Sequence, residues 1–286
     1  MEQLTSGWLL LIIPGLIWGA SFLFIAEGLR SIGPSGVAFV RICIGFATLA
    51  LFPSARKPVA RADWNSVAWL GLLWFAFPLS MFPFAEQRVS SALTGMLNGA
   101  NPLFATLVAS YIARRAPSRG VAVGLAVGLA GAILMALPAT SEGRSSAMGI
   151  AMILAALVSY GVALSIARSL QQQYGAAPVI WRAQGVALVL TAPLGVPDLI
   201  TAHWSIVPLL SLLALGAFGT AIANVLMAAA AGRFGAARAS GTTFLIPVVA
   251  LALGVGVRHE QVALLSVAGG LVCLVGAWLM KRASSH

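Results

Sequence analysis

The chain has 286 residues, of which 60% are hydrophobic and 8% charged, with a formal net charge of +10. A soluble domain carries about 25% charged residues, so a soluble globule is excluded and a polytopic membrane protein is implied. In a soluble chain the basic excess would suggest nucleic acid; here the arginines flank apolar runs, which points to a lipid bilayer and to no nucleic-acid partner.

Apolar runs near the ~20 residues needed to cross a bilayer fall at 7–26, 34–52, 65–84, 90–113 and 119–137, then at 148–168, 178–196, 205–229, 236–257 and 262–280. The expected fold is all-α, a polytopic membrane protein with ten transmembrane helices. No positive residue precedes the first run (Met1-Glu2-Gln3-Leu4-Thr5-Ser6), so it is expected to be a retained span. Turn formers occupy the connections at Pro53-Ser54, 138–146, Gly175 and Pro197-Asp198. The longest break makes residues 138–147 a linker between a first unit, 7–137, and a second, 148–281. Cys43 and Cys273 stand singly in apolar runs, without the spacing of a zinc site or a disulfide framework.

The two units repeat. Residues 66–135 can be laid over 211–280 without a gap, at a shift of 145. Ser66 meets Ser211, Gly71 meets Gly216, Arg88 meets Arg233 and Pro102 meets Pro247. The run Gly131-Ala132-Ile133-Leu134-Met135 meets Gly276-Ala277-Trp278-Leu279-Met280. Duplicated units with matching broken helices are a signature of secondary transporters.

Ten spans put both termini on one side. That side carries Arg56, Lys57, Arg61, Arg114, Arg115, Arg119, Arg168, Arg233, Arg238, Lys281 and Arg282. The other carries Arg30, Arg88, Arg144 and Arg258 with Glu27, Glu86, Glu142, Asp198 and Glu260. Positive residues stay inside, so both termini are expected in the cytoplasm of a cell inner-membrane protein. Each unit has five spans, so the second is expected to enter the membrane inverted.

The five-plus-five spans, Trp18-Gly19-Ala20-Ser21 in the first helix and Arg41 in the second resemble the drug/metabolite transporter superfamily, and within it the EamA type. Tyr160-Gly161 and Arg182 stand at the corresponding places of the second unit. Pro247 to Glu260 keeps the family's pattern of a proline, an apolar run and a glutamate; the first unit departs from it with Arg115. The resemblance implies two EamA units and the export of amino acids or other metabolites.

Proline removes the hydrogen bond to the carbonyl four residues earlier. Pro102 and Pro247 would therefore free the carbonyls of Asn98 and Thr243, which must then face protein or a wet cavity. Thr94, Asn98 and Asn101 surround one break, and Ser240, Thr242 and Thr243 the other. The functional reading is a substrate cavity between the fourth and ninth spans; the structural one is a pair of packing kinks.

Trp18 and Trp74 lie mid-span, whereas Trp8, Trp64, Trp69, Trp204 and Trp278 fall near span ends, as interfacial tryptophans do. Trp18, Ser21, Phe22 and Ile25 share one helical face, and Phe77, Ser80, Met81 and Phe84 another. They suggest a pocket with aromatic walls and neutral polar groups, or ordinary packing. Arg41 and Arg182 are the charges placed well inside spans; either attracts a substrate carboxylate, or snorkels or pairs structurally. Asn224, Ser159 and Tyr160 are polar points that serve either a ligand or a helix–helix hydrogen bond. Gly124, Gly128 and Gly131 with Gly269, Gly270 and Gly276 make small faces for close helix approach, within a monomer or between two chains of a homodimer.

No Gly-x-x-x-x-Gly-Lys loop is present, so ATP hydrolysis is excluded, and no His-Glu-x-x-His marks a metalloprotease. His203, His259 and His286 lie in loops or at the end, out of reach of a mid-membrane serine. Nothing calls for a metal, a cofactor or a catalytic residue. No Asp, Glu, His or Lys is expected mid-span, Glu27 and Glu86 falling at outer helix ends. The reading is an alternating-access carrier of small amphipathic metabolites, most plausibly amino acids. It is either a downhill facilitator or coupled through Glu27, Glu86 or the substrate. A cationic drug carrier is the alternative within this class, disfavoured by the lack of a deep carboxylate; a membrane enzyme or non-transporting subunit is the alternative outside it.

Overall fold

The computed structural model describes residues 2–141, 144–235 and 239–284. Glu142, Gly143, Ala236, Arg238 and His286 lie outside the described residues, and so does the side chain of Trp8. Within the described residues the regular structure is helical, as expected where lipid offers no partner to a backbone N–H or C=O. Seven helical stretches are long and apolar enough to cross a membrane, and three shorter apolar helices fill the remaining positions.

The first unit contains α1 (Glu2–Gly28), α2 (Pro34–Ala50), α3 (Trp64–Leu70), α4 (Phe77–Glu86), α5 (Ser91–Asn98), α6 (Asn101–Ala113) and α7 (Arg119–Ser141). The second contains α8 (Arg144–Tyr174), α9 (Ala176–Ile200), α10 (Ile206–Ala214), α11 (Ala223–Phe234), a 3-10 helix (Ser240–Phe244), α12 (Leu245–Arg258) and α13 (Leu264–Ala283). π-helical turns, Gly71–Ala76 and Leu215–Ile222, join α3 to α4 and α10 to α11. The all-α, two-unit architecture expected from the sequence is the one observed.

The helices overrun their predicted ends. The linker is largely helical, because α7 carries through Pro138 to Ser141 and α8 starts at Arg144. Pro197 and Asp198, expected in a turn, lie in the last turn of α9. There Asp198 Oδ2 accepts the Gly36 backbone N–H at 2.8 Å. A carboxylate at the unpaired N–H groups of α2 is favoured by the helix dipole, which explains why the helix runs on.

The repeat is visible in irregular backbone as well as in sequence. The π turns begin near Gly71 and Gly216, residues 145 apart, and among the described residues the non-glycine positions with positive φ are Arg114 (φ 51°) and His259 (φ 55°), also 145 apart. Packing follows suit: α7 lies along α13, α2 along α9, α1 along α12 and α8 along α6. The α7–α13 contact is backbone on backbone, since a Cβ on Gly276 would lie 2.2 Å from the Gly128 nitrogen. The small faces therefore act within the chain.

Outward-facing positions are apolar, among them Val189, Leu194, Ile200, Leu210 and Leu271, and Trp64, Trp69, Trp204 and Trp278 are exposed. Two apolar cores lie inside. One gathers around Phe22, Phe82, Met96, Leu97 and Leu103. The other gathers around Ile42, Leu70, Phe75 and Ile180.

Candidate functional site

The fourth and ninth transits are interrupted rather than kinked. α5 stops at Asn98, and Gly99 and Ala100 donate three residues back, to Met96 and Leu97. α6 then restarts at Asn101 with Pro102 in its first turn. Proline suits that place, where its missing N–H would be unpaired anyway. In the other unit the 3-10 helix precedes α12, whose third residue is Pro247. The two breaks meet, for a Cβ on Gly99 would lie 3.0 Å from Pro247 Cγ.

The polar residues at the breaks divide into two groups. Thr94 turns its hydroxyl to the Ser90 carbonyl (2.9 Å), and Thr243 to that of Ser240 (2.7 Å). Thr242 reaches across to the Leu11 carbonyl on α1 (2.7 Å). These three are satisfied by backbone. Asn98 and Asn101 are not, since the Oδ1 atoms of both are buried without a hydrogen-bond partner. A buried polar atom left unpaired costs about 1–3 kcal/mol, and these two residues flank the break in sequence, Asn98 closing α5 and Asn101 opening α6.

Aromatic rings lead up to them. Phe22 meets Phe82 edge-on, with centroids 5.6 Å apart, and Phe82 meets Tyr160 at 6.1 Å. Phe22 also packs on α5, with Cδ2 2.7 Å from where a Cβ of Gly95 would be. Asn98 follows Gly95 by three residues and so shares its face. Trp18, Met81 and Tyr160 pack half-buried against this same core. Trp74 does not join them: it lies against the second core, stacked on Phe75 at 5.9 Å. Phe77 is exposed, while Ser80 returns its hydroxyl to the Ala76 carbonyl (2.7 Å).

Trp18-Gly19-Ala20-Ser21 is chiefly a docking element. A Cβ on Gly19 would fall 2.5 Å from Val249 Cβ, so the glycine admits α12. Trp18 Nε1 donates to the Gly219 carbonyl in the second π turn (3.1 Å), and Ser21 returns its hydroxyl to the Ile17 carbonyl (2.9 Å). The second unit mirrors this. Gly161 lies against Val108 of α6, and Ser159 donates to the Leu73 carbonyl in the first π turn (2.7 Å). Each unit thus satisfies the irregular turn of the other, and such turns are frequent at functional sites.

The second π turn also binds three further side chains. Gln184 and Asn224 donate to the Thr220 carbonyl, at 2.8 and 3.0 Å, and Arg41 Nε donates to Thr220 Oγ1 at 3.2 Å. Arg41 is buried, 4% exposed, whereas Arg182 turns to the Ala55 and Pro178 carbonyls and lies over the Trp181 ring. Asn224 is accounted for as a helix-internal hydrogen bond.

Glu86, expected at an outer helix end, is at the end of α4, but both its carboxylate oxygens are buried there and neither has a hydrogen-bond partner. Glu86 stands one turn beyond Phe82 on the same face. Its end-of-helix position gave no sign of this, because the burial comes from the neighbouring helices. Phe82 was missed for a related reason: the stripe through Phe77 is as apolar as the one through Leu79 and Phe82.

The EamA-like transporter family matches residues 5–137 and 147–282 of this chain. The chain belongs to that family. It is therefore a multi-pass membrane transporter of small molecules. A stretch of 119 residues is 28% identical to a Bacillus subtilis (strain 168) protein named uncharacterized transporter YcxC, covering 41% of this chain and 38% of that one. The match thus spans well under half of that relative. A solved structure described only as "Crystal structure of protein" shares the fold, with TM-score 0.63 and 18% identity over 99% of both chains.

The EamA glutamate has a clear place here. α12 ends at the left-handed His259, which turns Glu260 back along its own helix, Glu260 N donating to the Gly254 carbonyl (3.0 Å). Glu260 then accepts from Ser91 N (3.1 Å), Ser91 Oγ (2.8 Å) and Ala92 N (2.8 Å), capping α5. Arg258 ties the cap to Glu27 of α1. The first unit has the same left-handed turn at Arg114 but Arg115 in the glutamate's place. The segment corresponding to Ser91 and Ala92 there, 236–237, lies outside the described residues.

Proposed function

We propose that this EamA transporter moves amino acids with apolar side chains out of the cell by alternating access. In this reading the two units have inverted topology, both termini are cytoplasmic and the chain has no enzymatic activity. The observation that carries it is the pair of unpartnered Asn98 and Asn101 oxygens at a helix break beside the Phe22–Phe82–Tyr160 rings. Unwound or interrupted helices near the repeat interface supply polar groups to a substrate without requiring a charged cage, and the rings provide an apolar wall. Amino acids and the outward direction follow from the family resemblance. Units 7–137 and 148–281 are the two moving bodies of this scheme.

Counterflow in proteoliposomes over the twenty amino acids tests it. Labelled apolar or aromatic amino acids should exchange into vesicles preloaded with the unlabelled compound. Absence of exchange for all twenty would overturn the assignment.

Glu86 favours a second reading, because a carboxylate in the interior can hold an organic cation. A cationic drug should then exchange where no amino acid does.

A further inference from the structure

The fourth and ninth transits are packed differently at their two ends. On the face opposite the termini, α5 lies along α12. A Cβ on Gly95 would fall 2.2 Å from Ala250 Cβ, one on Gly254 2.7 Å from Ala92 Cβ, and one on Gly99 3.0 Å from Pro247 Cγ. The seam is therefore closed from the start of α5 to the breaks. Toward the termini the same two transits take different neighbours. α6 packs on α8 and α7, whereas the 3-10 helix packs on α1, where Thr242 donates to the Leu11 carbonyl. Tyr111 and Ile112, near the end of α6, are exposed.

The closed end carries the Glu260 cluster. Glu260 accepts from Ser91 N, Ser91 Oγ and Ala92 N of α5, and Arg258 pairs with both Glu260 and Glu27 of α1. Arg30 adds a second, exposed partner for Glu27. The repeat mate of Glu260, 145 residues earlier at the end of α6, is Arg115. A guanidinium has no acceptor for an N–H, so Arg115 cannot make the same cap at the other end.

We propose that the Glu27–Arg258–Glu260–Ser91 cluster is a one-sided latch, closing the outer end of the substrate path between α5 and α12 and releasing it when the carrier opens outward. This rests on the alternating-access reading above and adds to it a gate and a bias. Rocking of the two units about a fixed site has to part α5 from α12 to open the outer end. It then breaks the bonds that Glu260 and Arg258 of the second unit make to Ser91, Ala92 and Glu27 of the first. Bonds made in only one of two states set the populations of both, and charge-assisted hydrogen bonds are about twice as strong as neutral ones. The latch thus favours the outer-closed form, and Arg115 offers no counterpart to offset it.

Spin-label distances in lipid nanodiscs test the latch, on a Cys43→Ser, Cys273→Ala background. The outer pair is Gln87→Cys with Gln261→Cys, both exposed beside the cluster. The inner pair is Tyr111→Cys on α6 with Gly241→Cys on the 3-10 helix, where a Cβ would meet only Lys281 Nζ within 4 Å. Glu260→Gln and Arg258→Gln should each raise the ratio of long to short outer distances about tenfold, with the inner distance shortening in step. Size-exclusion profiles in detergent report folding. Ser91→Ala removes one hydroxyl and should shift the ratio about threefold in the same direction, which decides the matter if the charged variants do not fold. Unchanged outer distances in the folded variants overturn the latch. Lengthening outside without shortening inside is the fraying of a structural cap, and overturns it too. The distances need no substrate, so failure of every amino acid to exchange removes the transport assignment and leaves the latch to its own measurement.

Discussion

The Ala92 backbone N–H donates to Glu260 Oε2 at 2.8 Å, tying the start of α5 in the first unit to the end of α12 in the second. The same carboxylate holds Ser91 and Arg258, and through Arg258 it reaches Glu27 of α1. One glutamate therefore fixes three helix ends from both units. Hydrogen bonds to a charged group are worth about 1.5–3 kcal/mol each. Glu260→Gln should lower stability by about 2 kcal/mol, read as an earlier thermal unfolding transition in detergent. An unchanged transition would mean that the cap carries no weight.

The contact between α7 and α13 predicts a contrast between two glycines. A Cβ on Gly276 would meet the Gly128 backbone at 2.2 Å, whereas one on Gly256 would meet nothing within 4 Å. Backbone cannot move aside as a flexible side chain does. Gly276→Ala should cost about 1–3 kcal/mol, and Gly256→Ala should be neutral or slightly stabilising, since alanine is the better helix former. Equal stability of the two variants in a thermal scan would refute the close packing.

At the helix breaks the expected effect is on transport rather than folding. Pro102 opens α6 after the break at Gly99 and Ala100, and Pro247 follows the 3-10 helix. With alanine at either place the helix can propagate backwards and take up the irregular backbone. Pro102→Ala and Pro247→Ala should remain folded and lose much of the exchange rate. Wild-type kinetics in both would reduce the breaks to packing devices.

Much of the architecture could be read from one shift of 145 residues, because covalent repetition carries its irregularities with it: Gly71 with Gly216, Pro102 with Pro247, Arg114 with His259. The site was less legible. A membrane protein exposes apolar surface to lipid, so an apolar stripe does not tell inside from outside. Phe77 and Phe82 look alike in sequence, yet the first is exposed and the second buried. Polar residues were equally ambiguous. Thr94, Thr242 and Thr243 satisfy themselves on backbone, whereas Asn98, Asn101 and Glu86 are left open. Which of these outcomes applies depends on neighbours far away in the chain.

Orientation has its own test. With ten spans, eleven lysines and arginines fall on the side of the termini and four arginines opposite, so by the positive-inside rule the termini are expected in the cytoplasm. A reporter active only in the periplasm, fused after His286, should stay silent; signal from it would invert the topology.

Energy coupling is the remaining prediction, and Glu86 changes its argument. A proton-coupled carrier needs a group that changes charge in the interior and meets both sides in turn. The sequence offered none mid-span, but at the end of α4 both Glu86 carboxylate oxygens are buried without a hydrogen-bond partner. A neutral zwitterion adds no net charge to the interior, whichever protonation state Glu86 holds. Carrying such a substrate therefore does not of itself require a proton. The expected result is that substrate reaches the same final level in proteoliposomes with and without an imposed pH gradient. Accumulation driven by the gradient and abolished by Glu86→Gln would show that Glu86 carries a proton. Accumulation that survives Glu86→Gln but not Glu27→Gln would move the coupling to the α1 end of the Arg258 cluster.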